Sequence, residues 1–302
     1  MQSRLWRVIR WAPFVLMALS VFTLIGMMLS GGMVKIAGWY LLQLIPPVLG
    51  MLTFVAVAIY AAVRRRLTKP ILATGIVSLL CVGPVALGLG IVAYPASLED
   101  TEPSATVRLP ADGPIRVGWG GDSVGINYHA MAPDQRWAYD LLIEPYLSGS
   151  SKLEDYGCYG TPVVAPISGK IIAAHDGEPD ATPGVSSNNY TKPLGNHVAI
   201  LLDTNTYLII AHLKNGSVAV KNGDVVTEGQ FLGECGNSGN TSEPHIHIHH
   251  QRQDPNVFPV SFAEGLPLYF RGHDGKPMPT GGLREEGGII IATGDVIQQL
   301  TK

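Results

Sequence analysis

The sequence predicts a membrane anchor of three helices followed by an all-β domain. Of its 302 residues, the first 98 carry eight basic side chains and no Asp or Glu, whereas the other 204 carry 13 basic and 24 acidic side chains. An acid-free part followed by an acidic part is typical of a membrane-inserted segment joined to a soluble domain. The pattern argues against a single soluble globule, a disordered chain or a general nucleic-acid binder, since an acidic domain repels phosphate.

Three uncharged apolar runs, at residues 12–34, 37–63 and 70–94, predict the membrane helices. Each run reaches the roughly 20 residues that a helix needs to cross a hydrocarbon core. A cleaved signal peptide is an alternative for the first run, because basic residues precede it. The two further runs favour an anchor over residues 1–94.

The basic loops predict the orientation of the anchor. The N-terminus carries three arginines, and the loop between the second and third runs carries Arg64, Arg65, Arg66 and Lys69. The loop between the first and second runs carries only Lys35. Because basic loops stay in the cytoplasm, we expect the N-terminus inside and residues from about 95 onward outside.

The remainder of the chain predicts an all-β domain of the small barrel or sandwich type. Residues 95–114 are rich in Pro and acidic residues, as a linker would be. Short β-branched runs separated by turn residues then follow, without a long helical period. The run at 207–213 is an example. We expect the main domain over 115–255 and a β extension over 256–302.

Histidines supply the candidate chemistry. His245, His247 and His249 alternate with isoleucines, so on a strand the imidazoles share one face and the isoleucines enter the core. A solvated polar face is the alternative, but His212 at the end of a second apolar strand favours a metal site. A zinc hydrolase uses three protein ligands and an open position for water. His249 lies one step beyond this pair and is expected at the edge of a groove, with His250 facing away.

Several ordered motifs extend this pattern. They are G-T-P-V-V-A-P-x-S-G-K at 160–170, G-N at 195–196, Y-L-I-I-A-H-L at 207–213, V-K-N-G-D-V-V-x-x-G-Q-x-x-G at 220–233 and G-N-S-G-N-T-S-E-P-H-I-H at 236–247. In these motifs the sequence resembles the M23 (LytM/lysostaphin-like) zinc endopeptidases, which cut peptidoglycan peptides, over roughly residues 115–255. The resemblance implies a compact antiparallel β domain with the metal in a groove.

The resemblance also implies site residues. His247 corresponds to the zinc ligand of the H-x-H pair, His212 and His245 to the catalytic histidines, and Asp140 to the carboxylate ligand of an H-x-x-x-D motif. At the first position of that motif, however, this chain has Arg136. A guanidinium has no free lone pair for zinc.

Two interpretations of this departure remain open. In the first, His129 replaces the missing ligand, and one zinc ion per domain is held by His129, Asp140 and His247. In the second, the domain is a catalytically silent LytM-like module that binds peptidoglycan or activates a wall amidase. The sequence retains Asp140 and the histidines at 212, 245 and 247, which favours the first interpretation, an active enzyme. Either interpretation implies a bacterial cytoplasmic membrane, with membrane lipid around the three helices and peptidoglycan outside.

Two of the three cysteines, Cys158 and Cys235, lie in the domain expected outside the cytoplasm. Cys158 lies two residues and Cys235 one residue before a motif expected to line the groove. An oxidising compartment permits a disulfide between them. Two free buried thiols are the alternative, because spacing does not establish proximity.

Overall fold

The computed structural model describes residues 4–300. The chain divides between Pro95 and Ala96 into two compact units. The first unit is helical, and the second is built from β-strands.

The helical unit contains α1 (Arg4–Leu29), α2 (Gly32–Arg64) and α3 (Lys69–Leu80). Within residues 4–300, three segments are long and apolar enough to cross a membrane, at 8–29, 32–64 and 69–89. Their side chains are mostly apolar and exposed, which suits a hydrocarbon environment and not water. The prediction of three membrane-capable helices is confirmed.

The sequence predicted one membrane helix over 70–94, but the third segment is not a single α-helix over this range. The α-helix ends at Leu80, and a 3₁₀ helix covers Gly83–Leu89. Pro84 causes the change, because it has no N–H to donate to the carbonyl of Leu80. The N–H of Val85 instead bonds the carbonyl of Val82, three residues back, at 3.0 Å.

The second unit is centred on one antiparallel sheet. Among the described residues this sheet has nine strands, ordered β15-β2-β3-β10-β7-β6-β5-β8, with β11 beside β10. The strands of the unit are β1 (Ala105–Val107), β2 (Pro114–Trp119), β3 (Tyr139–Leu142), β4 (Pro162–Val164), β5 (Gly169–His175), β6 (Asn196–Leu201), β7 (Tyr207–Leu213), β8 (Val225–Val226), β9 (Phe231–Glu234), β10 (Ile246–Gln251), β11 (Gly265–Leu266), β12 (Leu268–Phe270), β13 (Leu283–Glu286), β14 (Ile289–Ala292) and β15 (Val296–Gln298).

Strand alternation places the main core on one face of the sheet. Ile246 and Ile248 of β10 and Leu208 and Ile210 of β7 are fully buried in one cluster. The pairing Ile248↔Ile210 brings side chains of the two strands together on this face. The all-β fold and the inward isoleucines are as predicted.

Both flanks of the predicted domain join its core. β1, inside the segment predicted to be a linker, pairs in parallel with β12, and Val107 and Leu109 are fully buried. β15 pairs with β2 at the edge of the main sheet. The linker is therefore shorter than 95–114, because the apolar residues that follow its acidic part take a strand partner from the far end of the chain.

A disulfide joins Cys158 to Cys235, with Cα atoms 5.6 Å apart. The bond ties the loop before β4 to the end of β9, and these two strands also pair with each other. Backbone hydrogen bonds of 2.8 Å from Gly160 to Cys235 and from Cys235 to Thr161 flank it. Of the two alternatives for these cysteines, a disulfide or two free thiols, the structure therefore has the disulfide.

Candidate metal centre

Strand pairing brings Asp140 and His247 together. β3 runs antiparallel to β10, and in this register Asp140 lies directly opposite His247. Side chains opposite each other point to the same face. The Oδ1 atom of Asp140 lies 2.8 Å from Nδ1 of His247, and both residues are buried.

His129 reaches the same carboxylate from a 3₁₀ turn over Tyr128–Met131. The turn is fixed by buried Asn127, whose side chain accepts from the His129 N–H at 3.1 Å and donates to the carbonyl of Ala138 at 3.2 Å. The Nε2 atom of His129 lies 2.9 Å from Oδ2 of Asp140. Nε2 of His129 is buried beside this carboxylate and, among the described residues, has no partner in hydrogen-bond geometry.

His212 and His245 stand beside this group. Nδ1 of His212 lies 2.8 Å from the carbonyl of Ser238, and Nδ1 of His245 lies 2.8 Å from the carbonyl of Glu243. A carbonyl only accepts, so each Nδ1 carries the proton and each neutral ring keeps its lone pair on Nε2. The two ring centroids are 4.7 Å apart.

Five buried side chains thus converge, and they offer two overlapping sets of metal ligands. One set is His129, Asp140 and His247, and the other is His212, His245 and His247; within each set the ligand atoms lie within 4.8 Å of one another. All five residues predicted for the site are therefore brought together, including His129. Two imidazoles and a carboxylate match the ligands of catalytic zinc sites.

Arg136 does not join the cluster. Its guanidinium lies 2.9 Å from the Asp122 carboxylate and packs over the ring of Trp137, 5.0 Å from the ring centroid. The side chain is buried, and the ion pair with Asp122 holds its guanidinium. Arg136 therefore has a structural partner of its own.

The buried charges shift the pKa values in the cluster. Burial alone would raise the pKa of Asp140, but His129 and His245 outweigh it and hold that pKa well below its ordinary value. Burial alone would lower the pKa of His245, but the Asp140 carboxylate raises it above the ordinary value. Burial, together with the neighbouring histidines, holds the pKa of His212 well below that of a free imidazole. The carboxylate is thus ionised, as a metal ligand must be.

A groove of about 440 Å³ opens onto Asp140 and His245. Its walls include Trp119, Tyr128 and, from the hairpin of β13 and β14, Ile290. Burial of the hydroxyl and the adjacent Asp140 carboxylate raise the pKa of Tyr128 well above its ordinary value, so the phenol stays protonated. Tyr128 directly precedes His129 but was not predicted as a site residue.

The prediction that His249 lies at the edge of a groove is wrong. His249 is 1% exposed, and its Nδ1 lies 2.9 Å from Nε2 of His247. The period-two pattern correctly predicted that His249 shares a strand face with His247. It could not predict the burial of His249, because burial depends on other segments of the chain that cover this face. His250 does face the other way, where its Nε2 contacts the hydroxyl of Thr206 at 2.7 Å.

Comparison with known proteins assigns the class. Residues 154–259 match peptidase family M23. The chain therefore contains an M23 peptidase domain, and His212, His245 and His247 lie inside the matched range, whereas His129 and Asp140 precede it.

Solved structures of several peptidases are similar to the chain. The catalytic domain of the antimicrobial peptidase lysostaphin from Staphylococcus simulans is 25% identical, with 50% of this chain and 86% of that chain covered and a TM-score of 0.31. A zinc-containing peptidase from Vibrio cholerae is 18% identical, with 48% and 36% covered and a TM-score of 0.32. The M23 metalloprotease pseudoalterin, from the deep sea, is 15% identical, with 65% and 99% covered and a TM-score of 0.37. The assignment to the family rests on the matched range and not on these scores.

Proposed function

We propose that the protein is a membrane-anchored zinc metalloendopeptidase that hydrolyses peptide bonds of peptidoglycan. The observation that carries the proposal is the approach of His129 to Asp140 and His247, because it supplies the ligand that Arg136 cannot provide. The M23 domain and the groove beside the cluster support a peptide substrate. The basic loops of the helical unit support an extracytoplasmic position for the domain.

The donor set fits zinc on the chemistry of its atoms. Nε2 of His129 is buried 2.9 Å from Oδ2 of Asp140 without a partner in hydrogen-bond geometry, so it is available to a cation bound beside the carboxylate. We propose His129, Asp140 and His247 as the ligands of one zinc ion. When bound, zinc supplies Lewis-acid polarisation of the scissile carbonyl and of the attacking water.

His212 and His245 would handle the protons of the reaction. Each donates Nδ1–H to a backbone carbonyl, which fixes the ring and leaves Nε2 as the basic atom. One ring accepts a proton from water, and the other, once protonated, donates a hydrogen bond to the oxyanion that develops on the carbonyl. Because both rings are held by backbone groups, they lose little orientation during turnover.

Zinc content distinguishes the two overlapping ligand sets. The full chain is purified in detergent, and zinc is measured in the native protein and in the His129→Ala, His247→Ala and His212→Ala variants. We expect His129→Ala and His247→Ala to lose zinc and His212→Ala to retain it. Loss of zinc in His212→Ala with full retention in His129→Ala would contradict the proposed ligand set.

Activity is tested on isolated peptidoglycan by the release of free amines. We expect release by the native chain, and none by His245→Ala even though this variant keeps its zinc. Cleavage by His245→Ala at the native rate would refute the mechanism. A native chain that holds no zinc and releases no amine would instead be the binding or amidase-activating module.

A further inference from the structure

A chain of buried polar side chains runs along β10 away from the proposed metal centre. His247, His249 and Gln251 occupy alternate positions and share one face of the strand. Nε2 of His247 lies 2.9 Å from Nδ1 of His249, and Nε2 of His249 lies 2.9 Å from Oε1 of Gln251. The amide nitrogen of Gln251 donates to the backbone carbonyl of Gln253 at 2.6 Å. All three side chains on this face are at most 2% exposed.

The hydrogen bond between Gln251 and Gln253, which is the one farthest from the metal centre, determines the direction of the other hydrogen bonds in this series. A backbone carbonyl can only accept, so the Gln251 amide must turn its nitrogen to Gln253 and its oxygen to His249. This oxygen can only accept, so Nε2 of His249 carries a proton. A neutral His249 then has a bare Nδ1, which accepts a hydrogen bond from Nε2–H of His247.

We infer that Gln251 and His249 form a hydrogen-bond relay that presets His247 as a metal ligand, with its proton on Nε2 and its lone pair on Nδ1. Both are positioning residues, because they act only through His247. The inference rests on the proposed zinc site for its purpose but not for its geometry. Nδ1 of His247 is also the atom that lies 2.8 Å from Oδ1 of Asp140, which places it among the proposed ligand atoms; in the metal-free protein a proton on Nδ1 makes this contact a hydrogen bond.

The opposite face of β10 provides a matched control. His250 is as buried as His249, at 1% exposed, but it bonds the hydroxyl of Thr206 at 2.7 Å and the carbonyl of Pro267 at 3.2 Å. Replacing it by Phe places the same side chain at an equally buried position of the same strand, so we expect a similar general disturbance. Among the described residues, the side-chain hydrogen bonds of His250 reach Thr206 and Pro267 and not the residues that lead to His247.

The first test needs neither metal nor activity. The full chain is labelled with ¹⁵N-histidine, stripped of metal in detergent, and its imidazole tautomers are read from long-range ¹H–¹⁵N correlation spectra. We expect His249 to be neutral with its proton on Nε2. A proton on Nδ1, or a doubly protonated ring, would overturn the relay whether or not the protein binds zinc.

The second test measures zinc affinity by competition with a chelator. We expect His249→Phe and Gln251→Leu to weaken zinc binding by about 10- to 100-fold, the usual effect of removing the hydrogen-bond partner of a metal-bound histidine. Gln251→Leu is the sharper variant, since it leaves both rings in place. His249→Gln, whose amide oxygen can accept from His247, should restore much of the affinity, and His250→Phe should leave it unchanged.

The two tests separate failure of the relay from failure of the proposed function. If His249→Phe and His250→Phe weaken zinc binding equally, the effect is general destabilisation and the relay is wrong. If the native chain binds no zinc, the proposed function fails, while the tautomer of His249 still decides the relay.

Discussion

Asp140→Asn should abolish tight zinc binding without unfolding the second unit. The carboxylate of Asp140 lies 2.8 Å from Nδ1 of His247 and 2.9 Å from Nε2 of His129. Asparagine keeps the shape of the side chain but replaces one oxygen by an NH₂ group, which has no lone pair for a metal. The variant therefore loses both a ligand and the negative charge that faces the cation.

The expected loss of zinc-binding free energy can be estimated from the charge of the Asp140 carboxylate. Two unit charges about 4 Å apart attract by about 4 kcal/mol at the effective dielectric constant of about 20 that describes protein sites. A zinc ion carries two charges and would lie closer, so this value is a lower bound. A loss of about 4 kcal/mol raises the dissociation constant by about a thousandfold.

The assay is chelator competition on the full chain in detergent, with Asp134→Asn as the matched control. Asp134 is also a buried aspartate, 4% exposed, but it belongs to neither ligand set. Because Asp134 acts on His129 through its charge, we expect Asp134→Asn to change the zinc affinity, but far less than Asp140→Asn does. If Asp140→Asn binds zinc as tightly as the native chain, the proposed ligand set is wrong.

The control residue, Asp134, is itself expected to make the stability of the fold depend on pH. Burial raises the pKa of Asp134 from 3.8 to about 7. The folded state therefore holds this proton more tightly than the unfolded state, and stability falls as the pH rises from about 4 to about 7. The full difference corresponds to about 4 kcal/mol. In the metal-free protein, Asp134→Asn should have no effect near pH 4 and stabilise the fold increasingly up to pH 7; a gain that does not vary with pH would contradict this.

Further predictions concern the disulfide, the glycine behind His212 and Arg136. Reducing the bond between Cys158 and Cys235, which closes 77 residues, should lower the free energy of unfolding by about 4 kcal/mol in pulse proteolysis, and no change on reduction would refute this. Gly195→Ala should destabilise the fold and reduce peptidoglycan cleavage, because its Cβ would lie 2.4 Å from the carbonyl carbon of Ser238, which holds His212. Gly216→Ala is its control, with the same left-handed backbone and open space around it; equal losses in both variants would refute the link. Arg136→Met should lower stability but leave the zinc content unchanged, and lost zinc would assign Arg136 to the metal site.

The histidine pair and the strand pattern were accessible from sequence, whereas the contacts between distant segments were not. Period two alone placed Ile246 and Ile248 in the core and His245 and His247 on the other face, and the structure confirms this alternation. The approach of Asp140 depends on the register of β3 against β10, which local patterns do not encode. The roles of the five site residues remain predictions.

Other parts of the fold depended on partners far along the chain. Residues 105–107 form a strand only because Leu268–Phe270 lies beside them, so a local reading gave a linker. The proposed ligand His129 comes from a turn held by Asn127, whose hydrogen bonds reach Gly121 and Ala138. In both cases a distant or irregular contact, and not intrinsic propensity, determines the structure.

The backbone at His212 gives the site a further property. Leu208 and Ile210 of the same strand point into the main core, so strict alternation would send His212 there as well. His212 instead has a φ of +62°, and Leu213 takes the place in the core. A left-handed histidine costs about 1–2 kcal/mol, a cost that glycine would avoid. Glycine at this position would relieve the backbone but would lose a buried imidazole and its contact with the Ser238 carbonyl, so the left-handed conformation is retained together with the side chain that it turns out of the core.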